Sequence, residues 1–295
     1  MTQRRLKALL GDYPGTLALK KGEVRSDRIA FDFADVKVPS SAFKRVVRDI
    51  EFDVGELAVF TYIIARAFNR PVELLPVVLL ARFQHSYLLY NAERGVIRPG
   101  DLNGKRIGIR SYSVTTSAWL RGILQADAGV DPKSITWVTF EDPHVAEFKD
   151  PPNVERAAEG KELTEMLFAG EIDAMVGTDR LAKDDRLRTV FPDPAAAADD
   201  WHKRYGAIQI NHMVTVSEKL ARENPDIVRE IYRLLTESKK AGGLPTGAGP
   251  DLNPMGVEAN RRNLEVAIDY CHRQGLIPRK FTVDELFDDT TRLLN

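Results

Sequence analysis

Gly104-Lys-Arg-Ile-Gly-Ile-Arg-Ser-Tyr-Ser-Val-Thr-Thr-Ser-Ala-Trp-Leu-Arg121 reads as a strand running into a helix. Ile107, Gly108 and Ile109 form the strand, and Arg110 is its charged tip. Residues 111–116 make a hydroxyl-rich turn, and a helical pattern covers 115–125. The first turn of such a helix carries unpaired N–H groups and a partial positive charge, so a carboxylate-bearing small molecule suits it. The same serines and threonines also suit plain capping between strand and helix. Both readings stand on this stretch alone.

The surrounding chain sets the frame. Its 295 residues are 43% hydrophobic and 29% charged, a soluble globular composition long enough for one large or two medium domains. A formal net charge of −1 gives no global field for nucleic acid or an anionic membrane, so neither partner is expected. The single cysteine, Cys271, excludes a disulfide framework and a cysteine zinc cluster. The basic start at Arg4, Arg5 and Lys7 is broken by Gly11, Asp12, Pro14 and Gly15. That pattern has no apolar leader region, and no run reaches the length of a membrane span. A cytoplasmic location is the expectation.

Strand patterns at 6–10, 29–36, 71–80 and 86–91 are interleaved with helical patterns at 40–49 and 57–68. After a linker at 98–105 a second series follows, with strands at 134–140 and 171–177 around a helix at 163–169. Residues 195–200 read as a loop or short helix, and 208–216 as a strand. A long helix from Ser217 to about Ala241, punctuated by Asn224-Pro225, precedes a Gly- and Pro-rich loop over 242–254 and a helix over 256–274. Strands alternating with helices predict an α/β protein with mostly parallel sheets.

Two motifs, Leu102-Asn-Gly-Lys-Arg-Ile-Gly108 and Phe168-Ala-Gly-Glu-Ile-Asp-Ala174, resemble the second lobe of a type II periplasmic-binding-protein-like fold. That resemblance implies a discontinuous first lobe over 1–104 and 206–295, a second over 105–205, and a ligand cleft between them. Further motifs are similar to those of 4,5-dihydroxyphthalate decarboxylases. They are Gly11-Asp-Tyr-Pro-Gly-Thr16, Asp53-Val-Gly-Glu-Leu57, Arg82-Phe-Gln-His-Ser86, the stretch from Arg110 to Arg121, Asn211-His-Met213, Pro254-Met-Gly-Val-Glu-Ala-Asn260 and Gln274-Gly-Leu276. The resemblance implies an enzyme of bacterial aromatic catabolism that releases CO2 from a dihydroxylated benzene dicarboxylate without a cofactor. The rival reading is a solute-binding protein of an ABC-type transporter for a small aromatic or sulfonate-like anion.

Decarboxylating a phenolic ring requires a proton for the carbon that loses the carboxylate and a partner for the hydroxyls. His85, His212 and Glu56 are the catalytic candidates. The alternatives are a partly buried loop histidine for His85, a satisfied core histidine for His212, and charge compensation at a helix start for Glu56. Arg110 is the candidate carboxylate clamp, through two parallel hydrogen bonds, against a surface arginine at a strand end. Ser113, Thr115 and Thr116 go with it. Asp12, Tyr13, Arg82 and Tyr112 complete the binding set, although Asp12 also suits an N-cap. Arg121 also suits a solvated helix face, and Asp173 a structural role. His144, His202 and His272 lack partners at metal spacing, and Glu141, Asp142 and His144 crowd one short loop, so no metal is assigned. No nucleotide-binding glycine motif occurs. Oligomeric state is not legible.

Overall fold

A computed structural model describes residues 3–178, 184–247 and 249–295. Its strands are β1 (Arg4–Leu9), β2 (Ile29–Phe33), β3 (Val54–Ala58), β4 (Val72–Ala81), β5 (Leu88–Asn91) and β6 (Arg106–Ile109). They continue with β7 (Thr136–Thr139), β8 (Val154–Arg156), β9 (Ala174–Val176), β10 (Leu187–Thr189) and β11 (Ile210–Ser217). The helices are α1 (Pro14–Lys20), α2 (Phe43–Val47), α3 (Val59–Ala67), α4 (Thr115–Asp127) and α5 (Leu163–Ala169). After them come α6 (Pro194–Tyr205), α7 (Glu218–Glu223), α8 (Pro225–Ala241) and α9 (Val257–Arg273).

Two compact units result. Unit one holds Met1–Arg82, Ile208–Asp269 and Ile277–Asn295, and unit two holds Phe83–Ala207 and Tyr270–Leu276. The first boundary therefore falls after Arg82, whereas the sequence places it after Gly104. The cause is β5, which pairs antiparallel with β9 and β10. A strand's own periodicity does not say which sheet it joins.

Unit one's sheet has the order β2-β1-β3-β11-β4. β1 is parallel to β2 and β3, while β11 runs antiparallel between β3 and β4. Unit two's sheet has the order β10-β5-β9-β6-β7-β8, with β6 parallel to β7 and β9. Both sheets are mixed, with one strand in each, β11 and β5, running against the others, so the expected α/β class with mostly parallel strands holds. Alternation of apolar residues identifies a strand but carries no sign of its direction.

In unit one, Leu6, Ala8, Leu75, Val214 and Val216 of the sheet bury against Ile227, Val228, Ile231 and Leu234 of α8. Pro225 opens that helix, where a missing N–H costs nothing, so the Asn224-Pro225 punctuation divides α7 from α8. In unit two, Val138, Met166, Leu167, Ile172 and Met175 form the core of the sheet and α5. A Cβ at Gly108 would lie 2.3 Å from Leu163 and 2.6 Å from Ile172, so glycine is what lets α5 lie close on β6. Residues 195–200, read as loop or short helix, belong to the twelve-residue α6, which buries Ala198 and Trp201. Ala248, within the 242–254 loop, lies outside the described residues. Among the described residues no helix is long and apolar enough to cross a membrane.

Candidate functional site

Three neighbouring strands of unit one carry its cluster of polar groups. Glu56 lies inside β3, not at a helix start, since α3 begins at Val59; charge compensation at a helix N-terminus therefore does not explain it. The β3–β11 register sets Glu56 opposite Val214, and His212, two residues along β11, shares Val214's face. On the other side, Leu9 of β1 pairs with Gly55, and the turn after β1 delivers Gly11 and Tyr13.

The Glu56 carboxylate is fully buried. Its Oε2 accepts from the Gly11 N–H at 2.8 Å. Its Oε1 accepts from the Tyr13 hydroxyl at 2.6 Å and lies 2.6 Å from His212 Nδ1. Burying a carboxylate is costly unless charge-assisted hydrogen bonds offset the loss of water. Here three groups converge on it. Burial, the Glu56 charge and the Tyr13–Glu56 hydrogen bond hold the Tyr13 phenol far above its ordinary pKa, so it stays a neutral donor. The positive charge of Arg82 acts on the same phenol in the opposite sense, which places Arg82 beside this cluster. His212 is mostly buried, and the Phe43 ring meets it edge-on at 5.0 Å.

Gly11 has a steric role here. A Cβ on it would sit 2.6 Å from the Tyr13 ring, so the ring crosses the glycine to reach Glu56. Asp12 points elsewhere. It is exposed and ion-paired with Lys20, and α1 is capped by Tyr13, so the N-cap reading of Asp12 does not hold.

Unit two carries the other candidates. Arg110 follows β6 and is partly exposed, with Nε 3.6 Å from Glu141 and Nη2 3.4 Å from His144 Nε2. Its carbonyl accepts from the Phe140 and Glu141 N–H groups at 3.0 and 2.8 Å, which fixes the backbone at the strand tip. Ser113 and Thr115 are buried and Thr116 half-buried. None of them caps α4, whose N-cap is Val114 with no side-chain cap bond. Tyr112 is also buried, its ring centroid 3.7 Å from the Arg121 guanidinium. Arg121 is fully buried, not on a solvated helix face. It donates to the Tyr112 carbonyl at 2.7 Å and to Gln274 at 2.9 Å, so it shapes the turn from beneath.

His85 belongs to a single 3-10 turn of unit two, and its ring packs edge-on against Phe191 at 5.0 Å. Burial pushes its pKa down to about 4. Burial of this kind favours the uncharged imidazole. Asp173 accepts from Arg106 N–H at 2.9 Å and Lys105 at 3.3 Å, a structural contact. Among the described residues no three His, Cys, Asp or Glu side chains converge to hold a metal ion.

Residues 61–241 match the NMT1/THI5-like family. A 4,5-dihydroxyphthalate decarboxylase of Comamonas testosteroni is 31% identical over 251 residues, covering 81% of this chain and 76% of that protein. A second, of Pseudomonas putida, is 30% identical over 215 residues, 69% of this chain and 83% of that one. Among solved structures, the alkanesulfonate-binding protein SsuA from Xanthomonas axonopodis pv. citri, bound to MOPS, superposes with a TM-score of 0.62. It is 14% identical, with 98% of this chain and 99% of that one covered. The last likeness establishes the fold as periplasmic-binding-protein-like.

Proposed function

The chain belongs to the 4,5-dihydroxyphthalate decarboxylase family, and on that premise we propose that it decarboxylates a hydroxylated aromatic dicarboxylate such as 4,5-dihydroxyphthalate. The observation that carries this reading is the buried Glu56 carboxylate held against His212 Nδ1 and the Tyr13 hydroxyl. A carboxylate on one imidazole nitrogen keeps a proton there and fixes the ring's orientation, so the transferable proton is assigned to Nε2.

In this reading, His212 Nε2 gives its proton to the ring carbon that bears the carboxylate. The hydroxyl para to that carbon spreads the resulting positive charge onto its oxygen. The carbon–carboxylate bond then breaks, its electron pair returns to the ring, and CO2 leaves. The neutral His212 regains a proton from water. One proton is consumed and no electron is exchanged, so we propose that the reaction runs without a cofactor. Positioned acids of this kind contribute about 10²–10⁴-fold.

Tyr13 and the Gly11 N–H keep the Glu56 carboxylate in place. Arg82, beside Tyr13, is proposed to neutralise a substrate carboxylate, and Arg110 with Thr116 to recognise an anion at the start of α4. His85, Ser113, Thr115 and Tyr112 support their surroundings in this assignment, and Asp12 has no part in it. Incubating the purified protein with 4,5-dihydroxyphthalate and measuring CO2 tests the proposal. Tight binding with no CO2 release would leave a solute-binding protein instead.

A further inference from the structure

Unit one carries a concavity that this chemistry does not use. It lies at the outer edge of the sheet, a groove of about 340 Å³ beside β2 and the end of α1. β2 is the outermost strand, next to β1. Phe31 and Phe33, two residues apart on β2, present their rings on one face. The rings stack with centroids 5.5 Å apart and planes at 26°, and both remain half-exposed.

The charged residues lining this groove are all basic: Lys20, Lys21 and Arg25. Lys20 is already engaged by Asp12 and by the Leu10 carbonyl. Lys21 and Arg25 stand exposed, and Arg25 Nε donates to the Gly22 carbonyl, which fixes the guanidinium at the rim. An apolar occupant would leave those charges unused, and a bare inorganic anion would leave the rings unused. A flat ring with a carboxylate matches both, since aromatic pairs favour offset stacking and a guanidinium favours a carboxylate. The volume lies at the small end of the range for small-molecule sites, the size of a one-ring ligand.

We propose that this groove is a binding site for a single-ring aromatic carboxylate, its ring against Phe31 and Phe33 and its carboxylate toward Lys21 and Arg25. The site is independent of the Glu56–His212 chemistry, and its test does not use turnover. Benzoate is the probe, with cyclohexanecarboxylate and benzamide as the non-aromatic and uncharged controls, followed by backbone amide NMR shifts in the full chain. Benzoate should move the amides of Lys21, Arg25, Phe31 and Phe33 saturably, with half-saturation at or below about 10 mM, the weak end of specific binding. The double variant Lys21→Glu/Arg25→Glu should weaken that site by about tenfold or more, the usual size for lost charged hydrogen bonds. Both controls should bind it less well than benzoate. Unmoved amides at about 10 mM benzoate, wild-type affinity in the double variant, or equal affinity for cyclohexanecarboxylate would each overturn the proposal. Amides of Gly11 and His212 report the other cluster separately, so failure at one site is distinguishable from failure at the other.

Discussion

Glu56 Oε1 lies 2.6 Å from His212 Nδ1 across the antiparallel β3–β11 pair. The two residues are 156 positions apart in the chain, and the sheet register alone brings them together. Because Tyr13 shares the same oxygen at 2.6 Å, one carboxylate orients two groups of different chemistry.

The pair predicts a division between binding and turnover. His212→Asn keeps a polar side chain but loses the acid, so kcat should fall by about 10²-fold or more while ligand affinity stays near that of the wild type. Glu56→Gln should cause a comparable loss, because the amide no longer holds His212 Nδ1 and the Tyr13 hydroxyl as the carboxylate does. Steady-state CO2 release alongside calorimetric binding checks both; wild-type turnover in either variant would remove His212 from the role of acid.

Gly11→Ala should act through Tyr13. The new methyl would meet the ring at 2.6 Å and push the hydroxyl off Glu56. We expect Gly11→Ala and Tyr13→Phe to reduce kcat similarly, and the double variant to be no worse than either, as coupled residues are non-additive. Additive losses would show that Gly11 matters for another reason.

Arg110→Lys retains the charge and loses the planar fork. Affinity for a dicarboxylate should drop by about tenfold or more, as charged hydrogen bonds are worth ~1.5–3 kcal/mol. Unchanged affinity in a folded variant would assign Arg110 to Glu141 and His144 alone.

Glu73 gives a pH signature in unit one. Burial pushes its carboxyl up to about 7, with Arg66, 3.2 Å away, opposing the shift. The folded state therefore holds a proton that the unfolded chain releases near its ordinary pKa of 4.5. Stability from this group is present below that value and is lost as pH rises through about 7. Glu73→Gln should flatten the stability profile between the two values, by on the order of 1–3 kcal/mol, measured by urea unfolding at several pH values. An unchanged slope would count against Glu73 as its source.

Local pattern carried part of this architecture. The 104–121 stretch delivers β6 and α4 where its periodicity placed them, and Asn224-Pro225 divides two helices as proline chemistry requires. Glu56 was misplaced for a physical reason. A glycine just before a helical pattern suggests a turn, whereas Gly55 lies within β3 and is glycine because a Cβ there would lie 2.9 Å from Val46 Cγ1. His85 and Arg121 show the same limit: a polar residue's burial depends on partners such as Phe191 and Gln274 that lie far along the chain. The sheet membership of β5 is likewise decided by β9 and β10, residues that its own four cannot announce.

Arg121 reaches Gln274, 153 positions later, and a Cβ at Gly122 would lie 2.0 Å from the Tyr270 ring. Unit two is thus finished by residues 270–276, which are translated only after the 208–269 segment of unit one. Excising 83–207 as a stand-alone fragment would strip Arg121 of its Gln274 oxygen and leave an opened pocket where Tyr270 had been. The nascent chain on the ribosome faces the same deficit until residues 270–276 emerge, so this half of the protein completes its interior only after the intervening segment 208–269 of the other unit has been translated.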